Sequence, residues 1–373
     1  MPGIYIHIPY CHKACHYCNF HFSTNLKTIN STVEAICHEA GLVASEFSQV
    51  HFVTLYIGGG TPSLLHPGQL KKILHSVREN FRLTSQETTL EANPEDLLPE
   101  KLEEWLGLGI DRLSIGIQTF DEQFLRQFNR NHTSQQAFDA LKQARRAGFL
   151  KYNVDLIFGF PGQSMDQWLS DLHRAIDLQP QHLSVYSLTR EEGTAFDYMV
   201  RRRMIQEADE GLMAEMFFAA RELLTSTGYQ QYEISNYALP GYHALHNSNY
   251  WKGEPYIGLG PSAHSYTGTH RRWNISNNAL YEKSLANGEK WYEEELLTPE
   301  IHFNELVITG IRTIWGIDMD RCLNLLRDEQ KDQWLKKVDQ LIEKNQLKKE
   351  KNHIILHPDY LFISDRIAIE LMV

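Results

Sequence analysis

Cysteine is scarce in this chain, with five residues in 373. That is too few for a disulfide scaffold, and no signal-peptide pattern precedes the first strand signal, so a reducing, cytoplasmic setting is expected. No apolar run approaches the roughly 18 residues that span a bilayer, so no transmembrane segment is expected, and only peripheral membrane contact stays compatible with the sequence. Basic charge is also short, since 36 Lys and Arg face 47 Asp and Glu for a formal charge of −11. Nucleic acid binding needs clustered cations, and the one basic run, Arg201-Arg202-Arg203, reads as a solvated helix face. Internal repeats and low-complexity tracts are absent. What the chain does have is 42% apolar residues, enough for one large domain plus a smaller one.

Three of the five cysteines crowd into one place. Cys11, Cys15 and Cys18 form C-x3-C-x2-C directly after an apparent first β-strand. Three thiolates on a short loop can hold three irons of a 4Fe-4S cluster and leave one iron open to a small molecule. A Cys3His zinc site using His12 or His16 is the rival, although structural zinc sites usually pair their ligands as two separated units and no second pair is present. Unliganded thiols are the third reading. Cys37 and Cys322 fall in helical patterns and read as core residues.

Strand and helix patterns alternate along the first half. Strands are expected at Ile4–Ile8, Val53–Ile57, Thr88–Ala92, Arg112–Gln118, Tyr152–Phe158 and His182–Leu188. Helices are expected near Ser31–Phe47, Gly68–Phe81, Pro99–Leu106, Thr133–Ala147 and Ser164–Leu178, the last two opening with capping-box spacings. Alternation at this spacing implies parallel strands joined by right-handed crossovers. The expected fold class is therefore α/β, a partial (β/α)6 TIM-like barrel. Residues 1–235 would form the barrel, 236–290 an irregular segment with short strands, and 291–373 a small helical, winged-helix-like domain ending in a charged hairpin.

Period-2 alternation sorts the strand faces. Ile4, Ile6 and Ile8 oppose Tyr5 and His7; Leu113, Ile115 and Ile117 oppose Ser114, Gly116 and Gln118; Val154, Leu156 and Phe158 oppose Asn153 and Asp155; Thr89, Glu91 and Asn93 oppose Leu90 and Ala92. The apolar faces must pack on helices, which turns the polar faces inward. Ordinary (β/α) barrels fill that interior with branched aliphatics, whereas this lumen is polar enough to hold a ligand. After the second strand comes Gly58-Gly59-Gly60-Thr61, where backbone can approach a ligand without intervening side chains. It lacks the lysine of a phosphate-binding loop, and a plain tight turn is the alternative.

In order, Tyr5-Ile-His-Ile-Pro with the cysteine triplet, Gly58-Gly-Gly-Thr-Pro-Ser, Glu91-Ala-Asn-Pro-Glu, Ser114-Ile-Gly-Ile-Gln-Thr-Phe and Asp155-Leu-Ile-Phe-Gly-Phe-Pro-Gly resemble the radical S-adenosylmethionine proteins. The closer resemblance is to the group related to oxygen-independent coproporphyrinogen III oxidase. It implies that Cys11, Cys15 and Cys18 ligate a 4Fe-4S cluster whose open iron chelates S-adenosylmethionine through its amino and carboxylate groups. An electron from the cluster then cleaves the sulfonium. The same resemblance implies that Tyr5, Tyr17, Gly59, Gly60, Thr61, Glu91, Gln118, Arg130 and Asp155 line the S-adenosylmethionine site. Arg130 could grip a carboxylate with its fork, while a surface helix charge is its plainer reading.

Two departures separate the chain from that oxidase. Phe20 stands where the oxidase has a fourth cysteine, and Cys11 leaves no room ahead of it for the oxidase's N-terminal extension. Both features resemble the branch described as heme chaperones, as does His246-Asn-Ser-Asn-Tyr250-Trp251. In that branch the segment is associated with heme, with His246 a candidate axial ligand and Tyr250 or Trp251 a candidate flank of the porphyrin. A loop histidine bonded to backbone is the simpler reading of His246. The expected function is a cytoplasmic 4Fe-4S, S-adenosylmethionine-binding protein that binds heme as cargo and passes it to acceptor hemoproteins, served by an unidentified electron donor. No catalytic residue is assigned. The alternative is a radical oxidoreductase acting on a porphyrinogen or another substrate.

Overall fold

The computed structural model describes residues 1–373. The first half alternates as the sequence predicts: β1 (Gly3–Ile8), α1 (Ile29–Val43), β2 (His51–Gly59), α2 (Pro67–Asn80), β3 (Arg82–Ala92), α3 (Pro99–Gly107), β4 (Arg112–Gln118), α4 (Glu122–Gln127), α5 (Ser134–Ala147), β5 (Lys151–Phe158), α6 (Met165–Asp177) and β6 (His182–Ser187). Strands β1 to β6 pair in sequence order, all parallel. Both capping boxes form: the Gln136 and Gln167 backbone N–H groups donate to the Thr133 and Ser164 hydroxyls at 3.2 Å, satisfying first-turn amides that would otherwise lack partners.

The face assignment holds. Ile4, Ile6, Ile8, Leu113, Ile115, Ile117, Val154, Leu156 and Phe158 are all buried in one core with Val33 and Ile36 of α1, Leu141 of α5 and Trp168 and Leu172 of α6. Helices cover that side, which leaves the polar strand faces on the concave side.

Beyond β6 the chain continues through α7 (Ala195–Arg201), α8 (Glu210–Ser226), β7 (Gln230–Gln231), β8 (Asn236–Ala238), α9 (Leu245–Trp251), β9 (Tyr256–Leu259), β10 (His264–Tyr266), β11 (His270–Asn274), α10 (Asn278–Asn287) and β12 (Tyr292–Leu296). These short strands belong to the same sheet, whose order is β12-β11-β10-β9-β1-β2-β3-β4-β5-β6-β8-β7. Strand β9 lies parallel to β1, with Gly3 opposite Tyr256 and Ile6 opposite Leu259, and so becomes a seventh parallel strand on the barrel wall. The sheet remains open between β12 and β7.

The remaining elements are α11 (Pro299–Ile311), β13 (Ile317–Asp318), α12 (Met319–Leu325), α13 (Asp328–Glu343), β14 (Leu347–Glu350), β15 (His353–Leu356) and α14 (Ser364–Leu371). They build a second core around Phe303, Val307, Trp334, Val338 and Ile354. The expected charged hairpin is β14–β15, paired from Leu347–Leu356 to Glu350–His353. Cys322 is buried in this second core, whereas Cys37 is only partly buried. No helix is long and apolar enough to cross a membrane.

Candidate functional site

The cysteine loop leaves the C-terminal end of β1, where ligands gather in open parallel sheets. Its two ends are stitched together: Ser23 N–H donates to Pro9 O at 2.8 Å, and Cys11 N–H to Ser23 O at 3.1 Å. Tyr10 is buried beneath it, with its hydroxyl bonded to Thr28 and Thr32 at 2.8 and 2.6 Å. The far side is pinned to the chain around α4 and α7. Asn129 Nδ2 donates to Ala14 O at 2.8 Å, Phe196 N–H to His16 O at 2.7 Å, and His16 Nδ1 bonds Gln127 O at 2.8 Å. His16 thus anchors the loop. No three His, Cys, Asp or Glu side chains are placed to hold a single metal ion.

Cys11, Cys15 and Cys18 line a cavity of about 460 Å³ that opens over the concave face. Tyr17, Gly59, Gly60, Thr61, Glu91, Gln118, Arg130 and Asp155 line the same cavity. An arc of hydrogen bonds spans three strand ends between two of the thiols. Thr61 Oγ1 donates to Cys11 Sγ at 3.4 Å, Asn93 Nδ2 to Thr61 Oγ1 at 3.3 Å, Arg130 Nη2 to Asn93 Oδ1 at 2.9 Å, and Arg130 Nη1 to Cys15 Sγ at 3.2 Å. Arg130 Nη2 also donates to Gly116 O at 2.6 Å. The guanidinium is therefore buried and fixed, not a surface charge. Asn93 lines the cavity but is absent from the sequence-derived site; its place directly after β3, two residues from Glu91, was the available signal.

The two carboxylates are held differently. Glu91 accepts from the Tyr56 hydroxyl at 2.7 Å and from Gly59 N–H at 3.0 Å, and burial pushes its pKa up to about 7. Asp155 accepts from Asn153 Nδ2 at 2.6 Å and Ser114 Oγ at 3.3 Å, and burial pushes its pKa up to about 6. A β-bulge between Gly116 and Gln118 gives Gln118 a left-handed φ of 71° and redirects its side chain into the cavity. Gly59 adopts φ 110°, and a Cβ on Gly60 would lie 2.6 Å from the Tyr10 carbonyl oxygen, so the cysteine loop and the glycine loop touch through bare backbone.

Two buried donors lining this cavity have no partner, the Tyr17 hydroxyl and Arg130 Nε. Each such orphan costs about 1–3 kcal/mol. Three thiols, paired carboxylates, a glycine-lined backbone and unpartnered donors together fit an iron–sulfur cluster with a zwitterionic, hydroxyl-bearing ligand.

The Radical SAM superfamily pattern matches residues 5–175. "Heme chaperone HemW" of Lactococcus lactis subsp. lactis is 32% identical over 354 residues, covering 94% of this chain and 92% of that protein. "Heme chaperone HemW" of Escherichia coli is 39% identical over 265 residues, 70% of this chain and 69% of that one. This chain belongs to the HemW-type branch of the radical SAM family. Among solved structures, Escherichia coli coproporphyrinogen III oxidase (HemN) superimposes with a TM-score of 0.85 over 100% of this chain and 90% of its own, at 23% identity, a likeness of fold.

The remaining three residues from the sequence lie elsewhere in this HemW-type chain. Tyr5 and Tyr250 line a second cavity of about 590 Å³ beside the first. His246 lines neither. It sits on α9 against the concave side of β1 and β2, fully buried, with Nδ1 bonded to Thr54 Oγ1 at 2.9 Å and Nε2 bonded to the Tyr250 hydroxyl at 2.7 Å. Its ring stacks on Tyr56 at 5.1 Å, and burial lowers its pKa to about 3. Both nitrogens of a heme-ligand candidate are thus engaged by side chains, an arrangement that neither the ligand reading nor the loop reading anticipates.

Proposed function

We propose that this chain is a heme chaperone of the cytoplasm that binds heme and delivers it to acceptor hemoproteins, using a 4Fe-4S cluster on Cys11, Cys15 and Cys18 and S-adenosylmethionine in the adjoining cavity. The observation that carries it is the assembly of the three thiols, the glycine loop, both carboxylates and Arg130 around one cavity, in a chain whose relatives bear the name heme chaperone. A cluster on three thiolates supplies one open iron and the electron that cleaves the sulfonium.

The chain's own residues do the rest. Arg130, held by hydrogen bonds to Asn93 and Gly116, donates to the Cys15 sulfur and orients it. Glu91, anchored by Tyr56 and Gly59, presents a carboxylate suited to an ammonium group. Asp155, oriented by Asn153 and Ser114, presents one suited to ribose hydroxyls. Residues 1–235 carry this chemistry, 236–290 bring the His246–Trp251 segment against it, and 291–373 form the accessory domain.

Anaerobic reconstitution tests the proposal. The protein should acquire iron and sulfide in the ratio of a 4Fe-4S cluster, take up hemin, and pass it to an apo-hemoprotein, read as growth of the acceptor's Soret band. Failure of both uptake and transfer rejects the chaperone function.

A further inference from the structure

The second cavity is a feature that the cluster chemistry leaves unexplained. It lies where the sheet edge meets the second core, between β1, β9, β10 and α11, the kind of junction at which ligand sites concentrate. Its volume of about 590 Å³ suits a sizeable ligand, since such pockets span roughly 300–1,000 Å³. Four tyrosine rings, Tyr5, Tyr250, Tyr256 and Tyr266, form much of its wall. Aromatic walls favour a flat, apolar occupant.

The histidines of this cavity differ in what their nitrogens do. His7 is fully committed, with Nδ1 to the Tyr5 hydroxyl at 3.0 Å and Nε2 to His21 O at 2.9 Å. His21 Nε2 bonds Asn278 Oδ1 at 2.7 Å. His302 Nε2 stands 3.5 Å from the Tyr266 hydroxyl. His264, on β10, has neither ring nitrogen engaged, while Trp273 backs its ring at 6.4 Å. An imidazole braced from behind and free at both nitrogens is poised to bind a metal centre.

Phe20 supplies the second observation. It lies on the rim shared by the two cavities, and its side chain is 67% exposed. Leaving a phenyl ring in water forgoes about 1.5–3 kcal/mol of burial, which a flat partner would recover.

We propose that this cavity receives heme, with His264 as the iron ligand and Phe20 packed against the porphyrin face. The inference rests on the heme-chaperone reading above. It moves the iron from His246, whose nitrogens hold Thr54 and Tyr250, to a histidine that is free.

The test is a hemin titration of the full-length, reconstituted protein beside His264→Ala and Phe20→Ala, with circular dichroism confirming that both variants are folded. Wild type should bind hemin with an iron-ligand spectrum. His264→Ala should shift the Soret band and weaken binding at least about tenfold, the lower end of what even outer-shell changes cost a metal site. Phe20→Ala should weaken binding with the band position unchanged, because it removes a packing contact and leaves the ligand. Wild-type spectrum and affinity in His264→Ala overturn the assignment while leaving the chaperone reading intact. A wild type that takes up no hemin overturns both.

Discussion

The imidazole of His246 stacks on the ring of Tyr56 at 5.1 Å, with 27° between the planes, and Tyr56 donates its hydroxyl to Glu91. On its other side His246 bonds Tyr250, which faces the second cavity. A continuous path of side chains therefore runs along the concave face: Glu91 in the cluster cavity, Tyr56, His246, then Tyr250.

His246 should govern acid stability. Its pKa falls to about 3 on folding because burial penalises the cation. A depressed folded value means that stability is present above the unfolded value of about 6.5 and is lost as pH falls below it, by roughly 2 kcal/mol at pH 5. His246→Gln should be less stable than wild type near neutrality, and the gap should narrow by about that amount on going to pH 5. Urea unfolding at the two pH values measures it; a gap independent of pH contradicts the assignment.

Glu91 should give S-adenosylmethionine binding a dependence in the same direction. Burial raises its pKa to about 7, so the carboxyl is half protonated at neutrality. An ammonium partner needs the carboxylate, so affinity should fall as pH drops below about 7, by up to about tenfold per unit. Calorimetry in buffers of different ionisation heat should detect protons released on binding. Glu91→Gln should abolish that release.

Arg130→Lys should separate geometry from charge. Lysine keeps the cation but cannot span Cys15, Asn93 and Gly116 together. We expect the cluster to be retained and S-adenosylmethionine affinity to drop by about 1.5–3 kcal/mol, the worth of a hydrogen bond to a charged group. Equal affinity in the two proteins would show that the fork is dispensable.

Gly60→Ala should disturb the cluster loop through backbone contact alone. The added methyl meets the Tyr10 carbonyl oxygen at 2.6 Å, and neither chain segment is free to yield. Overpacking of this sort costs typically about 1–3 kcal/mol. The variant should melt earlier and bind less iron than wild type, whereas Cys37→Ser should leave iron content unchanged.

Much of this molecule was legible in one dimension because its signals are local. Alternation assigned the faces of β1, β4 and β5, and hydroxyl caps with glutamine three residues on marked the starts of α5 and α6. Most of the cavity residues came from the family resemblance that motifs at strand ends carry, with Tyr5 falling in the second cavity instead. What stayed hidden depends on pairing across long separations. Four-residue β9 carries too little pattern to declare that it joins β1, some 250 positions earlier. The burial of His246 follows from that pairing, since α9 is delivered onto β2 by the turn into β9. Asn93 needed Arg130 and Thr61 beside it before its role could be seen.

The pairing of β9 with β1 also has a consequence in time. The first strand, which launches the cysteine loop, has one edge with no neighbour until Leu259 has been made. An uncovered strand edge is both adhesive and poorly ordered, and contacts this distant in sequence form late. During synthesis the three thiols therefore wait on an unfinished wall through more than half of the chain. Iron should be loaded only once β9 has been made, and a nascent chain stalled ahead of β9 should not hold a cluster.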